Sequence, residues 1–466
     1  IEAQGKYLIP GLVDGHIHFF QSGGLYTRPD AIDLRAYKPY DDEIVWLQSN
    51  AGDLLDRYLR CGVTTVIDVG GPMYNYTIRD SFNLMPNKPS IYITGPLVST
   101  YQPPEFEIED APIVKTKTAE EARELVRKQL PFNPDFIKIW YIVLPNQSAE
   151  STFDIVKAAA DEAHRNNVRV AIHATQLNTA KFALKAGADI LVHSVEDHEV
   201  DEDFINLIKK NNAVYIPTLI VGDNYTRAFA GQINFTKEDL AIANPIPTGS
   251  LLDVHHLEDE KVKLYKNYAS TQIKKINPQQ SMAFKNLNTL IKGGVPVALG
   301  TDAGNIGTLH ASSVITELQA MKDAGLSNAQ VLKAASLDAY KVVEKDKLYG
   351  SIEEGKKADL VLLSKNPLED LNALREIEEV IKHGSRISLK AITKSSPEEL
   401  AQQQLNAYNL RDIDAFLEPY SDTVKIFGFP DQPMMEGKEA MRKGYEGMFE
   451  NTPNLHCKLL NRIVQG

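Results

Sequence analysis

Gly11-Leu12-Val13-Asp14-Gly15-His16-Ile17-His18 is a short apolar run that ends on two histidines, and its reading decides the fold. Such a run bounded by glycine reads as a buried strand. Successive strand side chains point to opposite faces, so His16 and His18, two apart, share one side. Runs of the same kind recur at 64–70, 90–96, 136–140, 169–174, 190–194, 213–219 and 295–302. Helix-like segments lie between most of them, such as 119–130, 151–166, 179–186 and 202–211. In the last, Phe204, Leu207 and Ile208 fall at helical spacing. Buried strands alternating with helices predict a parallel sheet, and eight such units predict a closed (β/α)8 TIM barrel.

The ends of these strands carry a set of chemically related residues. Lys138 lies in the fourth run, His173 ends the fifth, His193 the sixth, and Asp302 the eighth. In a barrel these ends converge on one face, where catalytic groups sit. Imidazoles and a carboxylate are the ligands that zinc and its neighbours prefer. Lys138 is the odd member, because an ammonium is expensive to bury beside cations. It makes sense if its surroundings deprotonate it and CO2 carboxylates it, giving a carbamate that bridges two cations.

The 466 residues allow about two to four domains. Lys+Arg 50 against Asp+Glu 62 gives a net charge of −12, which disfavours a phosphate-binding surface and hence nucleic acid. No apolar run approaches the ~20 residues of a membrane helix. Cys61 and Cys457 form neither a disulfide framework nor a metal spacing. The chain opens without an initiator Met or a signal-like stretch, which reads as a trimmed start, so no compartment is assigned. A Gly-rich phosphate loop, CxxC, HExxH and GxSxG are absent, and nucleotide use and serine hydrolysis lack support.

The barrel is expected over 1–350, with an excursion at 223–288 that interrupts the rhythm before the last strand and reads as a lid rather than an incidental surface insertion. Short strands at 358–363 and 379–387 place a segment of a small β-domain over 351–394. A composition shift at Ser395, a helix at 397–408 and a strand at 423–429 mark a further domain over 395–466.

Several of these runs also resemble a known family. Ile9-Pro10-Gly11-Leu12-Val13-Asp14-Gly15-His16-Ile17-His18 is similar to the opening signature of the amidohydrolase superfamily. Val170-Ala171-Ile172-His173-Ala174 and Gly187-Ala188-Asp189-Ile190-Leu191-Val192-His193-Ser194 resemble strands five and six of its imidazolonepropionase-like branch. Leu299-Gly300-Thr301-Asp302-Ala303-Gly304 resembles strand eight. The stretch from Gly350 to Val361 resembles the return into the family's small β-sandwich domain, whose strands from before the first barrel strand are expected to be missing. The run from Gln402 to Phe416 resembles the first helix and turn of α+β NTF2-like (SnoaL-like) domains, here expected to be incomplete.

The resemblance implies a binuclear hydrolase of small molecules that cleaves an amide, peptide or cyclic amide bond with a metal-bridged hydroxide. It implies two divalent ions, zinc by preference. His16, His18 and Asp302 would hold the more buried one and His173 and His193 the other, with carboxylated Lys138 between. Asp302 would also be the catalytic proton shuttle. An ester or lactone hydrolase with the same site is the nearest rival. A mononuclear deaminase would not need Lys138, and a non-catalytic binding protein would not need all six residues.

Trp140, Tyr141, His198 and His310 lie just beyond strand ends and are candidates for lining the pocket. Asp14 is a candidate support for the histidine pair. His164, His255, His256 and His383 read as surface residues. A C-terminal domain of this length buries little core, so it is expected to lean on the barrel or on a second copy in a homo-oligomer.

Overall fold

A computed structural model of the chain describes residues 3–233, 235–277, 280–393, 395–452, 454–459 and 462–463. Residue 394, the expected domain boundary, lies outside the described residues. The strands are β1 Tyr7–Pro10, β2 Leu12–Ile17, β3 Val63–Asp68, β4 Ser90–Ile93, β5 Leu97–Ser99, β6 Ile113–Lys115, β7 Phe136–Trp140, β8 Arg169–His173, β9 Ile190–Val192 and β10 Val214–Ile216. After these come β11 Leu360–Leu363, β12 Ile377–Lys382, β13 Ser385–Ile387, β14 Lys425–Gly428 and β15 Gln432–Glu436.

β2, β3 and β4 pair in parallel, and a six-stranded sheet runs β10-β9-β8-β7-β5-β6, also parallel. Every residue of β2 and β3 is buried, the pattern of strands covered on both faces. The two sheets meet where Asp135 N donates to Ile93 O at 2.9 Å, just before β7. On the other side Tyr215 N donates to Pro296 O at 3.0 Å, and Gly15 N to Leu299 O at 2.9 Å. The hydrogen bonds thus lead from β2 through both sheets and back to β2. This α/β arrangement is consistent with a TIM barrel. Gly15 is required at that seam, since a Cβ there would stand 2.5 Å from the Leu299 oxygen.

The eighth expected strand, 295–302, is not a regular strand. It makes isolated parallel bridges only, Val297 to Tyr215 and Ala303 to Ile17. Pro296 has no N–H to give, and the Leu299 N–H goes to Ala334 O at 2.9 Å, so the segment changes partners before a ladder can form. The sequence reading also lacked β5 and β6, which extend the sheet beside β7, and the helix Tyr40–Arg60.

Helices cover the sheet, and their starts follow capping chemistry. Thr118 Oγ1 accepts from Glu121 N ahead of Ala119–Gln129, and Asp201 accepts from Phe204 N ahead of Glu202–Lys210. The excursion holds helices Val221–Ala230, Lys237–Ile242, Pro245–Leu252 and Glu260–Gln272. Its apolar residues, among them Phe229 and Leu251, share a cluster with Leu25, Ile32 and Leu34 of the loop after β2.

β1, β11, β12 and β13 form a separate antiparallel sheet. Here the expectation is corrected: β1 precedes the first barrel strand and does contribute to the small β-domain. The expected single strand at 379–387 is a hairpin, broken where His383 and Gly384 adopt positive φ. The C-terminal part is a helix Pro397–Leu410, the short helix Ile413–Leu417, the hairpin β14–β15 and a helix Lys438–Asn451. Its core is the buried set Ala407, Phe416, Leu417, Met441 and Phe449. Arg57, 2% exposed, ties this part to the rest. It donates to Glu399 Oε1 at 2.6 Å, to Asp53 Oδ2 at 2.6 Å, and to the carbonyls of Ile242 and Ala243. Among the described residues no helix is long and apolar enough to cross a membrane.

Candidate metal centre

β2 ends at Ile17 with His16 and His18 on the same side of the chain. His16 Nε2 lies 3.3 Å from His18 Nε2 and 3.3 Å from Asp302 Oδ1, while His18 Nε2 lies 3.2 Å from the same oxygen. His193 Nδ1 is 3.9 Å from Asp302 Oδ2. The rings of His173 and His193 have centroids 4.4 Å apart, and those of His16 and His193 4.9 Å. Lys138, from the middle of β7, lines the same cleft as His18, His173, His193 and Asp302. The structure therefore brings together all six residues singled out at the strand ends.

Two of these sit on unusual backbone. His193 has φ 77° and Asp302 φ 57°, a left-handed conformation that non-glycine residues adopt at a cost. Hydrogen bonds hold them there. Asp302 N donates to His16 O at 2.7 Å, and His193 N to Ile216 O at 2.8 Å. Asp14 supports the pair of loops by accepting from Thr301 N, Thr301 Oγ1 and His16 N at 3.0, 2.7 and 3.3 Å. Burial pushes its carboxyl up to about 7.

The electrostatics suit neutral donors. Burial holds His16, His173 and His193 well below the usual imidazole range, reinforced by Lys138 beside His16 and His173 and by His173 beside His193. Burial brings Lys138 down to about 7, with Asp302 opposing. His18 Nδ1 lies 2.7 Å from Gly70 O, which can only accept, so Nδ1 carries the proton and Nε2 offers its lone pair to the site.

The donor set fits divalent cations. Ligand atoms of His16, His193 and Asp302 lie within 4.8 Å of one another. Ligands held tetrahedrally at ~2.1 Å from one ion stand about 3.4 Å apart, the spacing seen around Asp302 Oδ1. His16 Nδ1, Lys138 Nζ and Asp302 Oδ1 are buried and, among the described residues, have no hydrogen-bond partner. Buried polar atoms are almost always paired, and of the three Asp302 Oδ1, which faces the Nε2 atoms of His16 and His18, is the one placed to meet a cation.

The cleft holds about 400 Å³, within the usual range for a small-molecule site. Phe20, Leu97, Ile113 and Trp140 line it and belong to one apolar cluster. Trp140 is two residues beyond Lys138 and shares its side of β7. Tyr141 does not enter: it is buried and its hydroxyl donates to Ala149 O. His310 is buried too, with Nε2 donating to Gln21 O at 2.8 Å and Nδ1 accepting from Tyr58 at 3.0 Å, so both nitrogens are spent on packing. The His198 side chain is 74% exposed beside Asp197, on a loop leading away.

Sequence reading missed Gln21, Arg28, Tyr225 and Asn305, which also line the cleft. Arg28 forks onto Asp30 at 2.6 and 2.7 Å and donates to Asn305 Oδ1, which also accepts from Tyr225 at 2.8 Å. Asn305 Nδ2 returns to Asp302 O at 3.0 Å. These residues come from the loop after β2, the helix Val221–Ala230 and the loop after Ala303, without a shared motif, and no spacing in the sequence joins them.

Residues 7–387 match the sequence pattern of the Amidohydrolase family, and residues 401–466 that of a SnoaL-like domain. An ochratoxinase from Aspergillus niger is 26% identical over 407 residues, covering 79% of this chain and 72% of that protein. An imidazolonepropionase from Treponema denticola is 24% identical over 422 residues, covering 84% and 85%. In fold, the chain is similar to the crystal structure of a Xaa-Pro dipeptidase, with a TM-score of 0.60 at 22% identity and coverage of 83% and 87%.

Proposed function

The chain belongs to the amidohydrolase family, and from that premise we propose that it hydrolyses amide-type C–N bonds of small molecules at a centre of two divalent cations. The observation that carries this reading is the meeting of His16 and His18 with Asp302 at the cleft that His18, Lys138, His173, His193 and Asp302 line, where Asp302 Oδ1 is buried and, among the described residues, without a hydrogen-bond partner. We read the two parallel sheets and the segment 295–303 as one closed (β/α)8 barrel that carries the cluster on the C-terminal ends of its strands.

His16, His18 and Asp302 would hold one ion and His173 and His193 the other, zinc being the cation that such a donor set suits. When bound, the ions supply an acidified water and a Lewis acid for the scissile carbonyl.

The residues do the rest. Lys138, neutral once its pKa has fallen, would add its nitrogen to the carbon of CO2 and release a proton, leaving an anionic carbamate in place of a cation. Asp302 would take a proton from the attacking water and pass it to the leaving nitrogen. Its orientation is set from two sides, by its own N–H on His16 O and by Asn305 on its carbonyl. Burial favours the neutral form of His16, His173 and His193, which keeps their lone pairs available. Phe20, Leu97, Ile113 and Trp140 would receive an apolar part of the substrate.

The ochratoxinase and dipeptidase relatives support amides as the bond class. The test is a panel of dipeptides, N-acyl amino acids and lactones, assayed as purified, after chelation and after adding zinc back. Turnover of amide members that vanishes with chelation and returns with metal is expected. Turnover of lactones alone, or turnover indifferent to chelation, would overturn the reading.

A further inference from the structure

Thr218 follows β10 by two residues and adopts φ 48°, the left-handed region that a β-branched side chain enters only under constraint. The constraint comes from both sides. Before it, Pro217 O accepts from Ser194 Oγ at 2.9 Å, and Ser194 follows His193 in the chain. After it, the buried carboxyl group of Glu317 accepts from Leu219 N and Ile220 N at 2.9 and 3.1 Å. Backbone strain persists where the surroundings over-determine it, and it marks places where a side chain must be aimed.

What is aimed here is a hydroxyl. Thr218 lines the cleft at 4% exposure, and its Oγ1 lies 2.9 Å from His193 Nδ1. Asp302 Oδ2 is 3.9 Å from the same nitrogen, too far for a hydrogen bond, so the partner of Nδ1 is Thr218. His193 Nε2 has no hydrogen-bond partner among the described residues. A proton on Nε2 would go unused, whereas a proton on Nδ1 is accepted by the hydroxyl. That tautomer leaves the lone pair on Nε2. His18 is arranged alike by other means, since its Nδ1 meets the backbone carbonyl of Gly70 at 2.7 Å. At His193 the same task falls to a side chain.

We propose that Thr218 is a positioning residue for the metal centre: its Oγ1 accepts the Nδ1 proton of His193 and so turns the Nε2 lone pair toward a cation. The inference rests on the two-cation reading and deepens it, because it assigns the arrangement of one ligand to a residue outside the ligand set. A hydroxyl can accept this proton, and a methyl group of the same shape cannot. The partner of a ligand histidine's second nitrogen weighs about 10- to 100-fold in metal affinity.

The test reads the ring before any metal is added. Protein with nitrogen-15-labelled histidine, stripped by chelation, gives ring signals that separate the two tautomers, and His193→Gln identifies those of His193. The wild type should carry the proton on Nδ1. Thr218→Val, which keeps the shape and removes the acceptor, should lose that preference, and Thr218→Ser should keep it. Calorimetric zinc titration should show one of two equivalents weakened by about 10- to 100-fold in Thr218→Val, with Thr218→Ser within about threefold of wild type. A wild-type proton on Nε2 would overturn the inference, as would a tautomer or a zinc affinity unchanged in Thr218→Val. Should Thr218→Val fail to fold, Thr218→Ala, which relieves the β-branched crowding, is read the same way. Should the wild type bind fewer than two equivalents, the two-cation reading fails by itself, and the ring signals decide. An Nδ1 proton lost in Thr218→Val then supports Thr218 as the group that orients His193, and one retained refutes it.

Discussion

Asp302 and His16 are joined twice: the Asp302 N–H donates to the His16 carbonyl at 2.7 Å, and Asp302 Oδ1 lies 3.3 Å from His16 Nε2. The first contact holds the end of the segment 295–302 to β2. The second puts a carboxylate oxygen against an imidazole that burial holds well below the usual imidazole range. A backbone tie thus fixes where the two side chains meet.

Asp302→Asn keeps the backbone contact and one carbonyl oxygen but removes the group that accepts a proton. Turnover should fall by ~10²–10⁴, while much of the metal is retained. Metal content and kcat measured on the same sample check this. A metal-loaded variant with near wild-type turnover would remove Asp302 from the proton path.

Lys138→Ala should lose most of its turnover and recover part of it with added short carboxylates, which can occupy the space of a carbamate. The carbamate itself is read by the carbon-13 signal of protein prepared with labelled CO2. Full activity in Lys138→Ala would contradict the assignment, as would an unlabelled Lys138 in the active enzyme.

Glu317 lies under the loop after β10, accepting from Leu219 N and Ile220 N at 2.9 and 3.1 Å. Burial lifts its carboxyl to about 8. The unfolded chain loses this proton near pH 4.3 and the folded one near 8, so between those values the native state binds more protons. Stability should therefore fall as pH rises from 5 to 8, a sign shared by Asp14 and Asp68, each pushed up to about 7 mainly by burial. Denaturant titrations of metal-free protein at pH 5 and 8 should show a smaller fall in Glu317→Gln. An equal fall in both would acquit this carboxyl.

Arg57 serves the junction with the C-terminal part and does not line the cleft. Arg57→Ala should cost about 3 kcal/mol of stability, at the lower end for a broken buried pair because Asp53 and Glu399 keep some solvent. Turnover of a small amide should stay within a few-fold. A loss by orders of magnitude in folded, metal-loaded protein would make the junction part of the active site.

The strand-end residues were legible because two periodicities reveal them. His16 and His18 share a strand face by their spacing, and His173, His193 and Asp302 close apolar runs. The helices at 119–129 and 202–210 fall on stretches read as helical, the second by the spacing of Phe204, Leu207 and Ile208. Gln21, Arg28, Tyr225 and Asn305 were not legible, since they meet only where two loops and the helix Val221–Ala230, from distant parts of the chain, come together at the cleft. Tyr141, His198 and His310 show the converse: each stands near a strand end, yet strand alternation, loop direction and packing bonds turn each away. β1 also escaped notice, because its partner β11 lies far along the chain.

The central claim is a hydrolytic centre of two cations, and titrating metal back into chelated protein while following turnover tests it most directly. The account predicts binding that saturates near two equivalents per chain, with amide hydrolysis rising to its full value as the second equivalent enters. Saturation at one equivalent with full activity would contradict the binuclear centre, and two bound equivalents without hydrolysis of any amide would contradict the function.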